Sequence, residues 1–281
     1  MKLSKTIMAL GGALLLSVPM HALTIGRTIE LSGIESGAWH PQLNADGTRV
    51  LFSTQNHQGL NNLDLVSGEV TVLDTDAGAG FTPAFSADGK SVIYRTAGMV
   101  DGLTCRDVRQ YSFADGKKST RRSMNREDVN LKAEAGIANY AVENYRNIVV
   151  CIDGKTTTIN PLSDAHSYLW ASLSPDGTRI MFSEPFMGLY ICNIDGTGAR
   201  RIAQKADFPA WAGNDIVVYA VSHDDGYQIL DATLKALDLT TGECKDVSAP
   251  DMKVSEVTAS PDGKVVYSSL EGKLFLVTVN N

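Results

Sequence analysis

Apolar residues in this chain come in short continuous runs rather than in alternation. Val50-Leu51-Phe52, Val92-Ile93-Tyr94, Ile180-Met181-Phe182, Ile216-Val217-Val218-Tyr219 and Val265-Val266-Tyr267 are the clearest. Alternation would mark strands with one wet face, whereas continuous runs mark strands covered on both faces. Four of the runs follow one kind of polar turn: "NADGTR" from Asn44, "SADGKS" from Ser86, "SPDGTR" from Ser174 and "SPDGKV" from Ser260. In such a turn Pro presets φ, Asp accepts from the backbone just ahead of it, and Gly takes a positive φ. Strand, turn and strand make a hairpin.

The turns recur with a period. Asp46, Asp88, Asp176 and Asp262 are separated by 42, 88 and 86 residues, so the long intervals are close to twice the short one. Two copies with decayed markers are therefore predicted near residues 132 and 218. "FPAWAGNDIVVYAV" from Phe208 supplies the second, with Gly213-Asn214-Asp215 in the turn. Residues 129–159 supply the first, without a marker turn and with room for a short helix across Arg126 to Ala135. Each copy continues with a third strand ("NLDLV", "QYSFA", "IVVCI", "GLYICNI", "KALDL", "LFLVTV"), and all but the last then add a tight turn and a more polar fourth strand.

Four short antiparallel strands repeated about every 43 residues describe a propeller blade, and six copies fill the chain. A β-sandwich leaves the long period unexplained. The last copy ends at Asn281 after its third strand, while "LTIGRTIEL", residues 23–31, is a spare strand before the first. The prediction is an all-β, six-bladed β-propeller of four-stranded antiparallel blades, closed by the N-terminal strand completing the last blade.

The stretch "SPDGTRIMFS" followed by "LYICNIDGTGARRIA" resembles the TolB-type, WD40-like Asp-Gly propeller repeat. Residues 172–203 match it closely, 85–95 and 259–268 well, 43–53 fairly, 208–221 loosely, and 125–160 hardly. The resemblance implies a TolB-like propeller of the cell envelope that binds proteins. It is confined to the propeller: the first blade begins near residue 38, which leaves no room for TolB's separate N-terminal α/β domain, so TolB's partners do not carry over.

The chain starts with Lys2 and Lys5, an apolar run from Ile7 to Val18, then Pro19 and a small residue at Ala22. That is the pattern of a secretory signal peptide over residues 1–22, too short to span a bilayer comfortably. The mature chain, 23–281, is then one domain without a transmembrane segment, periplasmic or secreted from a bacterium, and expected to be a monomer. It keeps 23 basic against 32 acidic side chains, a net −9, which gives little reason to bind nucleic acid. Cys105, Cys151, Cys192 and Cys244 match no metal-ligand spacing; export permits disulfides, and buried free thiols fit equally well.

No G-x-S-x-G elbow, H-E-x-x-H, phosphate-binding loop or EF-hand is present. The leading expectation is a non-catalytic module that binds a protein or peptide partner in the envelope, without a cofactor. Aromatic residues gather where inner strands start: Trp39, Phe81, Tyr168, Trp170, Phe208 and Trp211. Trp39, His40, Tyr168 and Phe208 are the candidate partner-binding residues, since aromatic anchors dominate interfaces. The alternative is a metal-dependent propeller enzyme, a lyase or hydrolase acting on sugar acids. In that reading His40 and His166 hold one divalent metal in the channel, while His57 and His223 follow second strands on the same side.

Overall fold

The computed structural model describes residues 22–34, 37–125 and 129–281. The expected leader therefore lies, up to residue 21, outside the described residues. The described residues form six antiparallel sheets arranged as a six-bladed propeller. Blade 1 is built from Trp39–Leu43, Arg49–Ser53, Gln58–Asp64 and Val70–Ala77, and blade 2 from Ala84–Phe85, Ser91–Val100, Leu103–Ser112 and Lys118–Asn125. Blade 4 runs through Leu169–Leu173, Arg179–Glu184, Gly188–Asn193 and Arg200–Ala203. Blade 5 follows with Asp207–Trp211, Ile216–Asp224, Ile229–Asp238 and Cys244–Asp246. Blade 6 has Val254–Ala259, Lys264–Ser269 and Leu274–Asn280.

The fourth strand of blade 6 comes from the other end of the chain, as predicted. Thr24 and Ile25 pair with Asn280 and Val279, and Ile29 and Glu30 pair with Leu276 and Phe275. Between them the Gly26 N–H donates to the Thr278 carbonyl at 2.8 Å. Leu23, fully buried, anchors this strand in the apolar cluster between blades 5 and 6.

The four repeated Asp-Gly turns share one chemistry. Asp176 Oδ1 accepts from Ser174 Oγ at 2.6 Å and from the Thr178 N–H at 3.1 Å, while Ser174 Oγ accepts from the Arg179 N–H. Asp88 does the same with Ser86 and Lys90. These bonds hold the carboxyls of Asp46, Asp88 and Asp176 below the usual aspartate range. Gly177 closes its turn at φ +71°.

The continuous apolar runs are buried between blades. Val50 and Phe52 of blade 1 pack with Val266 and Leu274 of blade 6, and Met181 of blade 4 packs with Val217 of blade 5. Blades 1 and 2 are also joined by a polar network. Asp74, with its side chain 1% exposed, accepts from Tyr94 Oη at 2.7 Å and from Arg109 Nη1 at 3.1 Å. Arg109 reaches Asp76 as well, at 2.7 Å. Burial alone would raise the Asp74 pKa, but these donors and the Lys118 charge outweigh it and hold it low.

Blade 3 has three strands among the described residues: Tyr140–Asn144, Asn147–Ile152 and Lys155–Ile159. Its neighbours show which rows these strands fill. The carbonyls of His57 and Gly272, in second-to-third-strand loops, accept from N–H groups just ahead of the next blade, Gly80 and Ala38. The Tyr145 carbonyl does the same for Tyr168, so Tyr140–Asn144 is a second strand, and "IVVCI" and "TTTI" fall in the third and fourth rows as expected. Ahead of these strands the chain makes the helical turn Leu131–Glu134, laid against blade 2: the next residue, Ala135, accepts from Ala87 in the inner turn of that blade, and Arg121 and Arg122 of its fourth strand reach the carbonyl and carboxylate of Glu134. Asn130 caps it, accepting from the N–H groups of Lys132 and Ala133. Lys-Ala-Glu-Ala is helix-forming sequence with no β-branched residue, and Leu131 and Ala135 bury against Ile93 and Val108 of blade 2. All four cysteines are free, with Cys244 exposed and the others buried. Among the described residues no helix is long and apolar enough to cross a membrane.

Candidate functional site

The second-to-third-strand loops and the connections between blades share one face of the ring, called the upper face below. The inner strands present a repeated position there. Four residues before the turn-opening residues Asn44, Ser86, Ser174, Ala212 and Ser260 stand His40, Thr82, Trp170, Phe208 and Glu256. The first four adopt the left-handed region, with φ of 56°, 48°, 53° and 51°. The inner-strand pairing slips at this point in blades 1, 4, 5 and 6. A bulge of this kind re-aims a side chain, and left-handed backbone at a non-glycine residue costs on the order of 1 kcal/mol. Four repetitions of that cost mark a built feature.

Equivalent residues of adjacent blades meet across the mouth. His40 Nδ1 lies 2.7 Å from Glu256 Oε1, and the rings of Trp170 and Phe208 lie 5.2 Å apart. The mouth is thus charged at the seam of blades 1 and 6 and aromatic at blades 4 and 5. His40 Nε2 also lies 3.0 Å from the Gln55 carbonyl, so with both ring nitrogens on acceptors the imidazole is set up to carry two protons. Burial opposes that charge, but the Glu256 hydrogen bond, the Gln55 carbonyl and the Glu256 charge outweigh it and raise the pKa of His40.

His57 stacks on His40 with ring centroids 3.7 Å apart. Burial first, and then the His40 charge, push the pKa of His57 down. Phe81 meets His57 edge to face at 5.0 Å, and the Arg95 guanidinium sits 4.4 Å over the Phe81 ring. A series of direct contacts therefore runs from Glu256 through His40, His57 and Phe81 to Arg95. Beside it, a cavity of about 380 Å³ opens between blades 1 and 2, lined by Asn56, His57, Phe81, Thr96, Arg95 and Arg106. Its volume is in the range of small-ligand sites.

The residues expected from sequence are placed as follows. Trp39, His40 and Phe208 stand at the mouth, partly buried. The Trp39 ring leaves no room for a β-carbon at Gly272 in the blade 6 loop, which ties it to the closing seam. Tyr168 is a correction: it is 1% exposed, packs edge to face on Phe182, and its hydroxyl accepts from the Leu162 N–H at 3.1 Å. It supports the rim from below and presents no contact surface. His40 and His166 belong to blades 1 and 4, three places apart in a ring of six, and no contact joins them. His166 faces Glu184 at 3.5 Å instead. Among the described residues no group of three His, Cys, Asp or Glu is close enough to hold a metal. His223 pairs with Asp231 on blade 5.

Other features of this face were not singled out from sequence. Glu256 could have been found by counting back four residues from Ser260. Large apolar side chains stand exposed at the second-to-third-strand hairpins of four successive blades: Met99 at 72%, Tyr145 at 69%, Phe186 at 95% and Tyr227 at 98%. The opposite face carries Val66 at 83% and Ile194 at 37%. In blades 2 and 5 the central hairpins are long, with pairing that continues to Val100–Leu103 and Asp224–Ile229. These two blades also stand three places apart, so the hairpins rise on opposite sides of the mouth.

No family model matches the chain, and comparison with curated proteins found no match. The fold is similar to solved propellers. The β-propeller domain of Cps50 (Swd1) from Myceliophteria thermophila is 10% identical and superposes with a TM-score of 0.59, over 90% of this chain and 100% of that one. A virginiamycin B lyase from Staphylococcus aureus, solved with quinupristin, is 11% identical at a TM-score of 0.53, over 92% and 99%. A putative TolB from Agrobacterium tumefaciens is 16% identical at 0.48, over 86% and 89%. At these identities the likeness establishes the propeller fold alone, and a lyase is among the similar structures.

Proposed function

We propose that this chain is an exported, monomeric, non-catalytic ring of the bacterial envelope that takes a protein or peptide partner across its upper mouth. The observation that carries this reading is the placement of exposed apolar side chains. Met99, Tyr145, Phe186 and Tyr227 project from the second-to-third-strand hairpins of blades 2 to 5 on the same face as the mouth. Soluble proteins seldom gather exposed apolar groups on one face without a partner for them. Trp39, His40 and Phe208 form the inner contact ring, and the cavity beside His57 receives a side chain of the partner. The long hairpins of blades 2 and 5 bracket the bound segment.

A photo-cross-linking residue placed singly at Phe186, Tyr227, Val66 and Ile194 tests the reading in cells that make the protein natively. Phe186 and Tyr227 should give one discrete protein adduct, and the two lower positions none. The combined variant Phe186→Ser and Tyr227→Ser should lose partner capture at position 99, while unfolding shifts by less than about 0.5 kcal/mol because both side chains are exposed. Equal adducts from both faces would sink the assignment.

A further inference from the structure

Leu23 is the first residue packed into the ring. Its side chain is fully buried, whereas Ala22 beside it is exposed. The Leu23 nitrogen donates to Glu243 Oε2 at 3.0 Å, and the Leu23 carbonyl accepts from Lys245 Nζ at 2.5 Å. Lys245 Nζ also lies 2.9 Å from Glu243 Oε1. A carboxylate thus faces the nitrogen of the residue that begins the packed chain, and an ammonium faces its oxygen. Asp238, the other acid acting on Glu243, is itself held by Asn281 Nδ2 at 3.1 Å. An internal amide offers Glu243 one neutral N–H. A chain that starts at Leu23 offers it a full positive charge.

We propose that the Ala22–Leu23 bond is the processing site of the leader, and that Glu243 is the receptor for the α-ammonium made there. The inference rests on the export reading above. Hydrolysis by a signal peptidase consumes one water: the C–N bond breaks, Ala22 leaves as a carboxylate, and the Leu23 nitrogen takes up the proton as an ammonium. Glu243 then carries one cation on each oxygen, Lys245 on Oε1 and the new terminus on Oε2. The buried, doubly bonded Leu23 is out of a peptidase's reach in the closed ring, so cleavage comes first and strand closure second.

The test has two arms. The N-terminal residue of the protein made in its native cells is read by mass spectrometry, with Leu23 expected; cleavage at another bond overturns the processing site alone, and an uncleaved Met1 terminus overturns the export reading with it. Separately, the chain 23–281 is prepared with a free amine and with Leu23 N-acetylated, which keeps the N–H but removes the charge. Each form is compared with its Glu243→Gln variant by urea unfolding. At about pH 6.5 the substitution should lower the folding constant roughly twofold to fivefold more in the free-amine form. That excess should fade as pH rises past the ordinary α-amino value of about 8. Equal cost in both forms overturns the receptor role and leaves the export reading standing.

Discussion

The imidazoles of His40 and His57 stack with ring centroids 3.7 Å apart and planes 22° from parallel, and their surroundings push their titrations in opposite directions. His40 sits on Glu256 and the Gln55 carbonyl; His57 faces His40, Arg95 and the Gly80 carbonyl. One ring of the stack is set up to be charged while the other stays neutral.

The pair should give the ring a stability maximum near the ordinary histidine value of 6.5. The folded pKa of His40 is raised, so its contribution is complete below 6.5 and is lost as pH rises through the raised value. The folded pKa of His57 is lowered, so its contribution is present above 6.5 and is lost as pH falls through the lowered value. Urea midpoints measured from about pH 5 to 8 should therefore decline on both sides. His57→Ala should abolish the acid-side decline and His40→Gln the alkaline one. A flat profile in the parent protein would contradict the arrangement. The turn aspartates do not confuse this window, because their depressed pKa values confine their effect to more acidic solutions, below the ordinary aspartate value of 3.8.

Asp74 is the buried carboxylate between blades 1 and 2. Asp74→Ala strips a charged partner from Arg109 and the acceptor from Tyr94, and should cost about 3 kcal/mol. Combining it with Arg109→Met should cost less than the sum of the two single changes, because the second removes the charge that the first left unpaired. Additive costs in a double-mutant cycle would show that the network does not couple the blades.

Two turn glycines separate backbone strain from collision. Gly177 has φ +71° and no atom within 4 Å of a β-carbon placed there, so Gly177→Ala should cost only the left-handed penalty, about 1–2 kcal/mol. Gly263, at φ +83°, faces the Val279 carbonyl oxygen at the closing strand, where a β-carbon would collide. Gly263→Ala should cost at least about 1 kcal/mol more. Similar urea midpoints for the two variants would contradict this.

The architecture was legible because it rests on local chemistry. Ser174, Asp176 and Gly177 satisfy their own turn, so the motif survives in sequence wherever the turn survives in space. The spare strand at residues 23–31 was legible by the same logic, since an edge left open at Leu274–Asn280 needs a partner. The mouth was only half legible. Its aromatic and histidine residues stood out by type, but the bulge that aims His40, Trp170 and Phe208 arises from strand pairing, which leaves no residue signature. Tyr168 shows the opposite failure: an aromatic at the right place along the chain turned inward because Phe182 and the Leu162 N–H offered it a core position. In blade 3 the helix-forming run at Leu131–Glu134 carried its own signal, but the burial of Leu131 against blade 2 depends on long-range packing.

The unlike seams of the mouth set the rotational identity of the molecule. A ring of six equal blades would offer a visitor six equivalent settings. Here blade 3 has three paired strands among the described residues, the seam of blades 1 and 6 is ionic, and blades 4 and 5 are aromatic. A guest that reads charge on one side and rings on the other therefore finds a single bearing, as a key finds its notch.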